Sequence, residues 1–202
     1  QMLRSEMTAD ASQAELMEII LRESDRLNRI ISDFLNYARP RSISLTQVEV
    51  GELLRETFTL MRHSPEIGPL QILKEDLPEG SLLAPIDAEQ LRQVFWNLSR
   101  NALQAMPAGG TLQAQLRRKA NGRLQINFID SGRGMSPEQV EHLFEPFSST
   151  TGGTGLGLSI VYQIIRDHGG TINVRSREGL GTTITIELPA GNEERDNRQV
   201  AV

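Results

Sequence analysis

Residues 151–158 read T-G-G-T-G-L-G-L, and the residues that follow, Ser159-Ile160-Val161-Tyr162-Gln163-Ile164-Ile165-Arg166, carry apolar side chains at helical spacing. Gly152, Gly153, Gly155 and Gly157 place four glycines in six positions, a density that does not fill a core. Glycine serves where the backbone takes positive φ or where another group must come close. A glycine-rich loop that runs into a helix gathers free N–H groups and the positive end of the helix dipole at one point, which suits a phosphate. The competing reading of the same loop is a surface linker, so the decision rests on the rest of the chain.

Outward from the loop, the helix ends at Gly169-Gly170, and residues 171–177 and 182–188 alternate as closing strands. Upstream, Ser136-Pro137-Glu138-Gln139 is a capping box with proline at the first helical position. Residues 112–118 and 124–129 read as strands around the turn Asn121-Gly122. Asp87 caps a helix through Ala105 whose core face carries Leu91, Val94, Phe95, Leu98, Ala102 and Met106. Further back come strands at 82–86 and 70–77, an amphipathic helix at 52–62 with Leu53, Leu54, Phe58 and Met61, and an alternating stretch at 44–50. These interleaved elements predict an α/β (α+β) two-layer sandwich, a mixed sheet covered by helices on one face. A long helix precedes it. Ser12 and Glu15 form its capping box, and Leu16, Ile19, Ile20, Glu23, Leu27, Ile30, Ile31, Phe34 and Leu35 keep an a/d-like seam until Arg39-Pro40 ends it. At about 27 residues and about 40 Å its seam calls for a second helix, in a hairpin or a dimeric bundle.

The 202 residues suffice for one ordinary domain with an appendage, and the composition, 38% hydrophobic and 23% charged, is that of a globular protein. No cysteine is present, which removes disulfides and Cys-based zinc sites, and the net charge of −5 argues against bulk nucleic-acid binding. No apolar run approaches the roughly 20 residues that span a bilayer. The chain begins at Gln1, within an apparent helix, which reads as a piece of something longer. From Pro189 onward the chain is polar, most densely at 192–198, and this tail is predicted to be disordered. The reading divides the chain at 1–40, 41–189 and 190–202.

Four further segments bear on chemistry. Asn97 and Asn101, in N-L-S-R-N-A, stack on one helix face. Amide oxygens are hard ligands suited to Mg²⁺, which takes phosphates and waters as its other ligands; exposed asparagines on a solvent face are the alternative. Asp130-Ser131-Gly132-Arg133-Gly134 ends a buried strand with a carboxylate able to accept from an exocyclic amine such as adenine's, beside two glycines that would let a planar ring lie against the backbone; a simple turn is the alternative. Phe144-Glu145-Pro146-Phe147 sits just ahead of the glycine loop, read either as core or as the anchor of a lid. Gly179-Leu180-Gly181-Thr182 is a hairpin turn that brings Thr182 near Asp130.

In this order and spacing the segments resemble the ATP-binding domain of two-component sensor histidine kinases, within the wider group that includes type II topoisomerases, chaperone ATPases and mismatch-repair ATPases. N-L-S-R-N-A, D-S-G-R-G, F-E-P-F and G-T-G-L-G-L match the asparagine box, first glycine box, phenylalanine box and second glycine box. The resemblance covers about residues 44–189, and is greatest to nitrogen-regulation-type kinases around 100–105. Arg26-Leu27-Asn28-Arg29-Ile30-Ile31 and Phe34-Leu35-Asn36-Tyr37-Ala38-Arg39-Pro40 are similar to the second helix of the family's dimerisation and phosphoacceptor hairpin.

The resemblance implies ATP and Mg²⁺ as ligands. Asn101, with Asn97, would hold the metal. Arg100 would add positive charge at the phosphates. Asp130 would read the adenine amine, beside Gly132 and Gly134, with Thr182 supporting through water. Thr154, Gly155, Leu156, Gly157 and Leu158 would wrap the phosphates. Phe144 and Phe147, packed inward, would anchor a lid at 148–153. It further implies γ-phosphoryl transfer to a histidine, relay to a response regulator receiver domain, a homodimeric parent compatible with a membrane anchor, and a cytoplasmic catalytic segment.

Two features depart from the family pattern. His63, His142 and His168 lack the acceptor's context of a His followed by an acidic residue on a helix, so the acceptor helix is expected to lie upstream. Residues 148–151 read S-S-T-T, without the lysine that similar lids carry. A hydrolase and a catalytically silent nucleotide-binding module are the alternatives. The hydrolysing relatives place a water-activating Glu where this chain has Asn97, an amide that cannot act as a general base.

Overall fold

The computed structural model describes residues 43–148 and 155–191, together with helical residues 13, 16–21, 23, 24, 27 and 31. The chain divides into two compact units, Gln1–Pro40 and Arg41–Val202. In the first, Leu16, Ile19, Ile20, Leu27 and Ile31 of the predicted seam are exposed. The capping pair Ser12 and Glu15, the helix end at Pro40, and the polar tail from 192 lie outside the described residues.

The second unit runs β1 (Thr46–Glu49), α1 (Val50–Arg62), β2 (Gln71–Asp76), β3 (Leu83–Ile86), α2 (Ala88–Ala105), β4 (Gly110–Arg118), β5 (Leu124–Asp130), α3 (Pro137–Glu141), α4 (Gly157–Asp167), β6 (Thr171–Arg177) and β7 (Gly181–Leu188). Five strands form a mixed sheet in the order β2-β4-β5-β7-β6. β2 and β4 pair in parallel and the other neighbours antiparallel. β1 and β3 instead make a separate antiparallel pair, with Thr46 opposite Ile86.

One sheet face meets the helices. Leu112, Ala114 and Leu116 of β4, Leu124, Ile126 and Phe128 of β5, and Ile184, Ile186 and Leu188 of β7 are buried at every second position, as the two-residue period of a strand requires. Phe128 meets Phe95 of α2 at 5.7 Å and Phe58 of α1 at 6.4 Å between ring centroids. The other sheet face is polar. Arg117 pairs with Asp76, Gln115 donates to Asp76, Asn127 to Gln115, and Gln125 to Asn127.

Local signals set the helix ends. Asp87 Oδ1 accepts from Gln90 N at 3.1 Å and starts α2. Ser136 and Gln139 close a reciprocal capping box at α3. At the end of α4, Gly170 N donates to Ile165 O and Gly169 N to Arg166 O, both at 2.9 Å. With Gly169 at φ 64 this is a Schellman stop. Gln71 Nε2 donates to both Leu103 O and Met106 O at 2.9 Å, adding a second donor to carbonyls that already accept from Met106 N and Gly109 N and so fastening the start of β2 to the end of α2.

One buried group on α2 lacks such a partner. Ser99 is fully buried and its Oγ has no hydrogen-bond partner among the described residues. An unpaired buried hydroxyl costs about 1–3 kcal/mol, and alanine is the better helix former. Ser99→Ala is therefore expected to raise Tm by a few degrees, on the order of 1 kcal/mol. A fall in Tm on thermal denaturation would reveal a partner that the hydroxyl cannot lose.

Candidate nucleotide site

The site is assembled from the C-terminal half of α2, the end of β5, the start of β7 and the N-terminus of α4. Asp130 closes β5 half-buried. Its Oδ1 accepts from Gly132 N at 2.8 Å and Thr182 N at 3.3 Å, while Oδ2 has no donor among the described residues. Burial raises the Asp130 carboxyl above its ordinary value, against the lowering effect of the two N–H donors. A raised native value means that the folded chain binds the proton more tightly than the unfolded one. The stabilising contribution is thus present at acid pH and falls as pH rises from the ordinary carboxylate value through the native one. Ionised Asp130 carries a stability cost, which fits a group kept for recognition.

The turn after Asp130 is locked to α2. Arg133 N donates to Ala105 O at 3.0 Å. A Cβ on Gly132 would meet Ala105 Cβ and O at 2.8 Å, and one on Gly134, at φ 67, would meet Arg177 O at 1.9 Å. Close approach of Ala105 and Asp130 at Gly132, and of the Arg177 backbone at Gly134, excludes a Cβ at both positions. Thr182 is buried and its hydroxyl meets Ser176 Oγ at 2.8 Å. Its support of Asp130 is therefore a direct bond from its backbone N–H.

Asn97 and Asn101 are both half-buried on α2. Asn97 Nδ2 donates to Gly157 O at 3.4 Å, which leaves its amide oxygen available. Asn101 has no hydrogen-bond partner among the described residues. Arg100 is turned toward the loop after α1, with its Nε 3.1 Å from Glu66 Oε2. A partly exposed ion pair of this kind is worth about 0–1 kcal/mol. α4 opens at Gly157 behind Leu156, which offers no side-chain cap, so its first-turn N–H groups and dipole are open to an anion. Leu156 is buried in the core and Leu158 packs against it.

Gly155 takes φ 68 and its carbonyl accepts from Phe147 N at 3.0 Å. The two residues thereby pin together the ends of the segment between them. Phe147 does not pack inward: it is 67% exposed and itself takes φ 65. Phe144 does pack, with its ring 5.4 Å from that of Tyr162 on α4. Thr154 and the glycines at 152 and 153 lie outside the described residues, as does most of the uncharged run at 148–151.

The sequence family described as histidine kinase-, DNA gyrase B-, and HSP90-like ATPase matches residues 86–192, which contain every part of this site. The chain belongs to that family. Sensor histidine kinase ZraS of Klebsiella oxytoca is 32% identical over 191 residues, covering 94% of this chain and 41% of its own length. Sporulation kinase E of Bacillus subtilis (strain 168) is 34% identical over 204 residues, covering 98% of this chain and 27% of its own length. The chain thus spans less than half the length of these relatives. Among solved structures, full-length ShkA in complex with AMPPNP aligns with a TM-score of 0.76 at 27% identity, covering 90% of this chain and 39% of that one. Histidine kinase ThkA in complex with response regulator protein TrrA aligns at 0.74 and 29% identity, covering 90% of this chain and 52% of that one.

Proposed function

We propose that the chain binds Mg-ATP and transfers the γ-phosphoryl group to a histidine of a phosphoacceptor hairpin, for relay to a response regulator. Asp130 Oδ2 accepts from the adenine amine, and the backbone amides of 155–158 take the phosphates at the N-terminus of α4. Among the described residues no three His, Asp or Glu side chains cluster as a ligand set. The amide oxygens of Asn101 and Asn97 would hold Mg²⁺ together with phosphate and water, and the metal would supply charge neutralisation at the phosphates. Arg100 must leave Glu66 to reach the phosphates, a step that gives up only a weak ion pair. In this reading residues 1–40 belong to the hairpin, 41–189 form the catalytic domain and 190–202 a tail. The parent is a homodimer compatible with a membrane anchor, its catalytic domain on the cytoplasmic side; among the described residues no helix is long and apolar enough to cross a membrane.

The observation that favours transfer over hydrolysis is Asn97, directed at the start of α4 with an amide in place of a carboxylate. An amide cannot take a proton from water at neutral pH. Incubated with labelled ATP and a separate hairpin carrying an acceptor histidine, the chain is expected to place acid-labile label on that histidine. The reaction will be slow because the two parts are not joined. His168 is buried, and His63 and His142 hydrogen-bond to Thr59 O and Glu145, so none of the three is expected to label. Release of phosphate without labelled histidine would make the chain a hydrolase, and robust label on any of these three would relocate the acceptor.

A further inference from the structure

His168 stands at the far end of α4 from the site, and its ring joins two helices. It is buried, 5% exposed. Its Nε2 accepts from Asp87 N at 3.0 Å, and its Nδ1 lies 2.7 Å from Ile164 O. A backbone N–H on one nitrogen and a carbonyl on the other assign the neutral ring with its proton on Nδ1. Asp87 is the cap of α2, and its carboxylate is itself engaged, by Gln90 N on Oδ1 and by Ser44 N on Oδ2. The ring therefore ties the last turn of α4 to the residue on which α2 begins.

The two helices run antiparallel. Asn97 meets Gly157 at one end and Asp87 meets His168 at the other. Ten positions separate Asp87 from Asn97 and eleven separate Gly157 from His168, about 15 and 16 Å of helix. The near tie is long, at 3.4 Å, and so contributes little directional hold. The far tie is one bond of ordinary length, 3.0 Å from Asp87 N, made to a ring whose orientation is held within α4 by Ile164 O at 2.7 Å. Between the ends, Val94 and Leu98 of α2 and Ile160, Val161 and Ile164 of α4 are all buried in one core. Interdigitated side chains resist sliding of one helix along the other, and the ring adds a directional bond to that packing at the far end.

We propose that His168 is a positioning residue for nucleotide binding. By fixing the axial register of α4 along α2 from the far end, it holds the 155–158 amides opposite Asn97 and Asn101. The inference rests on the nucleotide reading given above. Loss of the tie lets α4 occupy other registers, and apparent affinity falls with the fraction that remains competent. The loss should fall on the phosphates alone, because Asp130, the turn after it and Thr182 do not belong to α4.

The test compares wild type with His168→Leu, His168→Asn and His168→Gln, each confirmed folded by circular dichroism. Leucine removes both bonds, asparagine keeps the donor to Ile164 O without reaching Asp87, and glutamine places an acceptor near the position of Nε2. ATP affinity by calorimetry is expected to fall about tenfold in the leucine and asparagine variants and to stay within about twofold of wild type in the glutamine variant. Adenosine affinity by NMR titration is expected to be the same in all four. Should the leucine variant fail to fold, the asparagine variant decides. ATP affinity unchanged in the asparagine variant overturns the proposal, as does a parallel loss of adenosine affinity, which would make His168 a support of the whole fold. A wild-type chain that binds no ATP overturns the nucleotide reading itself.

Discussion

Asp130→Asn is expected to lower ATP affinity by about 100-fold while Tm stays unchanged or rises. Asparagine keeps a carbonyl oxygen in the place of Oδ1, so the bonds from Gly132 N and Thr182 N survive. The group in the place of Oδ2 becomes an NH₂. Toward an adenine amine, a charged acceptor is thus replaced by a second donor, which removes a bond worth about 1.5–3 kcal/mol and leaves two donors facing each other. Stability moves the other way, because a neutral amide escapes the burial that raises the carboxyl. Binding and stability therefore separate in one variant. The pH dependence separates them too. Recognition needs the ionised carboxylate, so wild-type affinity falls as pH drops through the raised Asp130 value, at higher pH than an ordinary aspartate would allow. The asparagine variant lacks that pH response. Calorimetry across pH with both proteins checks this, and equal ATP affinity in the two would remove Asp130 from base recognition.

Much of the fold was legible because its signals are local. Asp87, Ser136 with Gln139, and Gly169-Gly170 start or stop helices by bonds to neighbours a few residues away, and such bonds follow from residue type and spacing. The core faces of α1 and α2 were equally legible from the helical period. Partner choice was not. Residues 44–50 and 82–86 read as strands like any others, yet β1 and β3 pair with each other outside the main sheet. Alternation reports that one face of a strand is buried and carries no information on which strand lies alongside. The parallel pairing of β2 with β4, across the whole of α2, is invisible for the same reason.

In the site, residue types were legible and their engagements were not. Asp130, Asn97 and Asn101 stand out because a carboxylate at a strand end and amides within a helix are costly without a purpose. Nothing local announces that Arg100 faces Glu66, which is distant in sequence, or that Thr182 supports Asp130 through its backbone rather than its hydroxyl. Phe147 was read as an inward anchor from its apolar ring, but it is exposed, at positive φ, with its N–H bonded to Gly155 O. His168 was read only as a histidine that lacks the context of a phosphoacceptor. Burial and the bond from Asp87 N make it a neutral cross-link, and its partner lies too far away in sequence to be found by spacing.

Gly155→Ala is expected to damage both stability and ATP binding, while Gly157→Ala leaves stability intact. A Cβ at position 155 would stand 2.5 Å from Phe147 C, 2.7 Å from Phe147 Cα and 2.8 Å from Ser148 N. All three are backbone atoms, so no rotamer change relieves the contact. The left-handed conformation adds about 1–2 kcal/mol for any residue with a Cβ, and the bond from Phe147 N to Gly155 O, worth about 0.5–1.5 kcal/mol, must stretch or break. A loss of a few kcal/mol corresponds to about 4–10 °C in Tm. The displaced residue lies two positions before Gly157, where α4 begins, so ATP affinity is expected to fall about tenfold or more as the competent arrangement becomes a minor one. Position 157 differs. Its φ is not positive, and the nearest atom to a new Cβ is Asn97 Cγ at 3.9 Å, an ordinary contact. Alanine there gains up to about 1 kcal/mol of helix propensity over glycine, so Tm should hold or rise. A loss of ATP affinity in Gly157→Ala would then report only the approach of the ligand to the first turn of α4. Thermal denaturation and calorimetry on the two variants distinguish these cases, and a Gly155→Ala protein that melts and binds like wild type would show that the pin to Phe147 carries no weight.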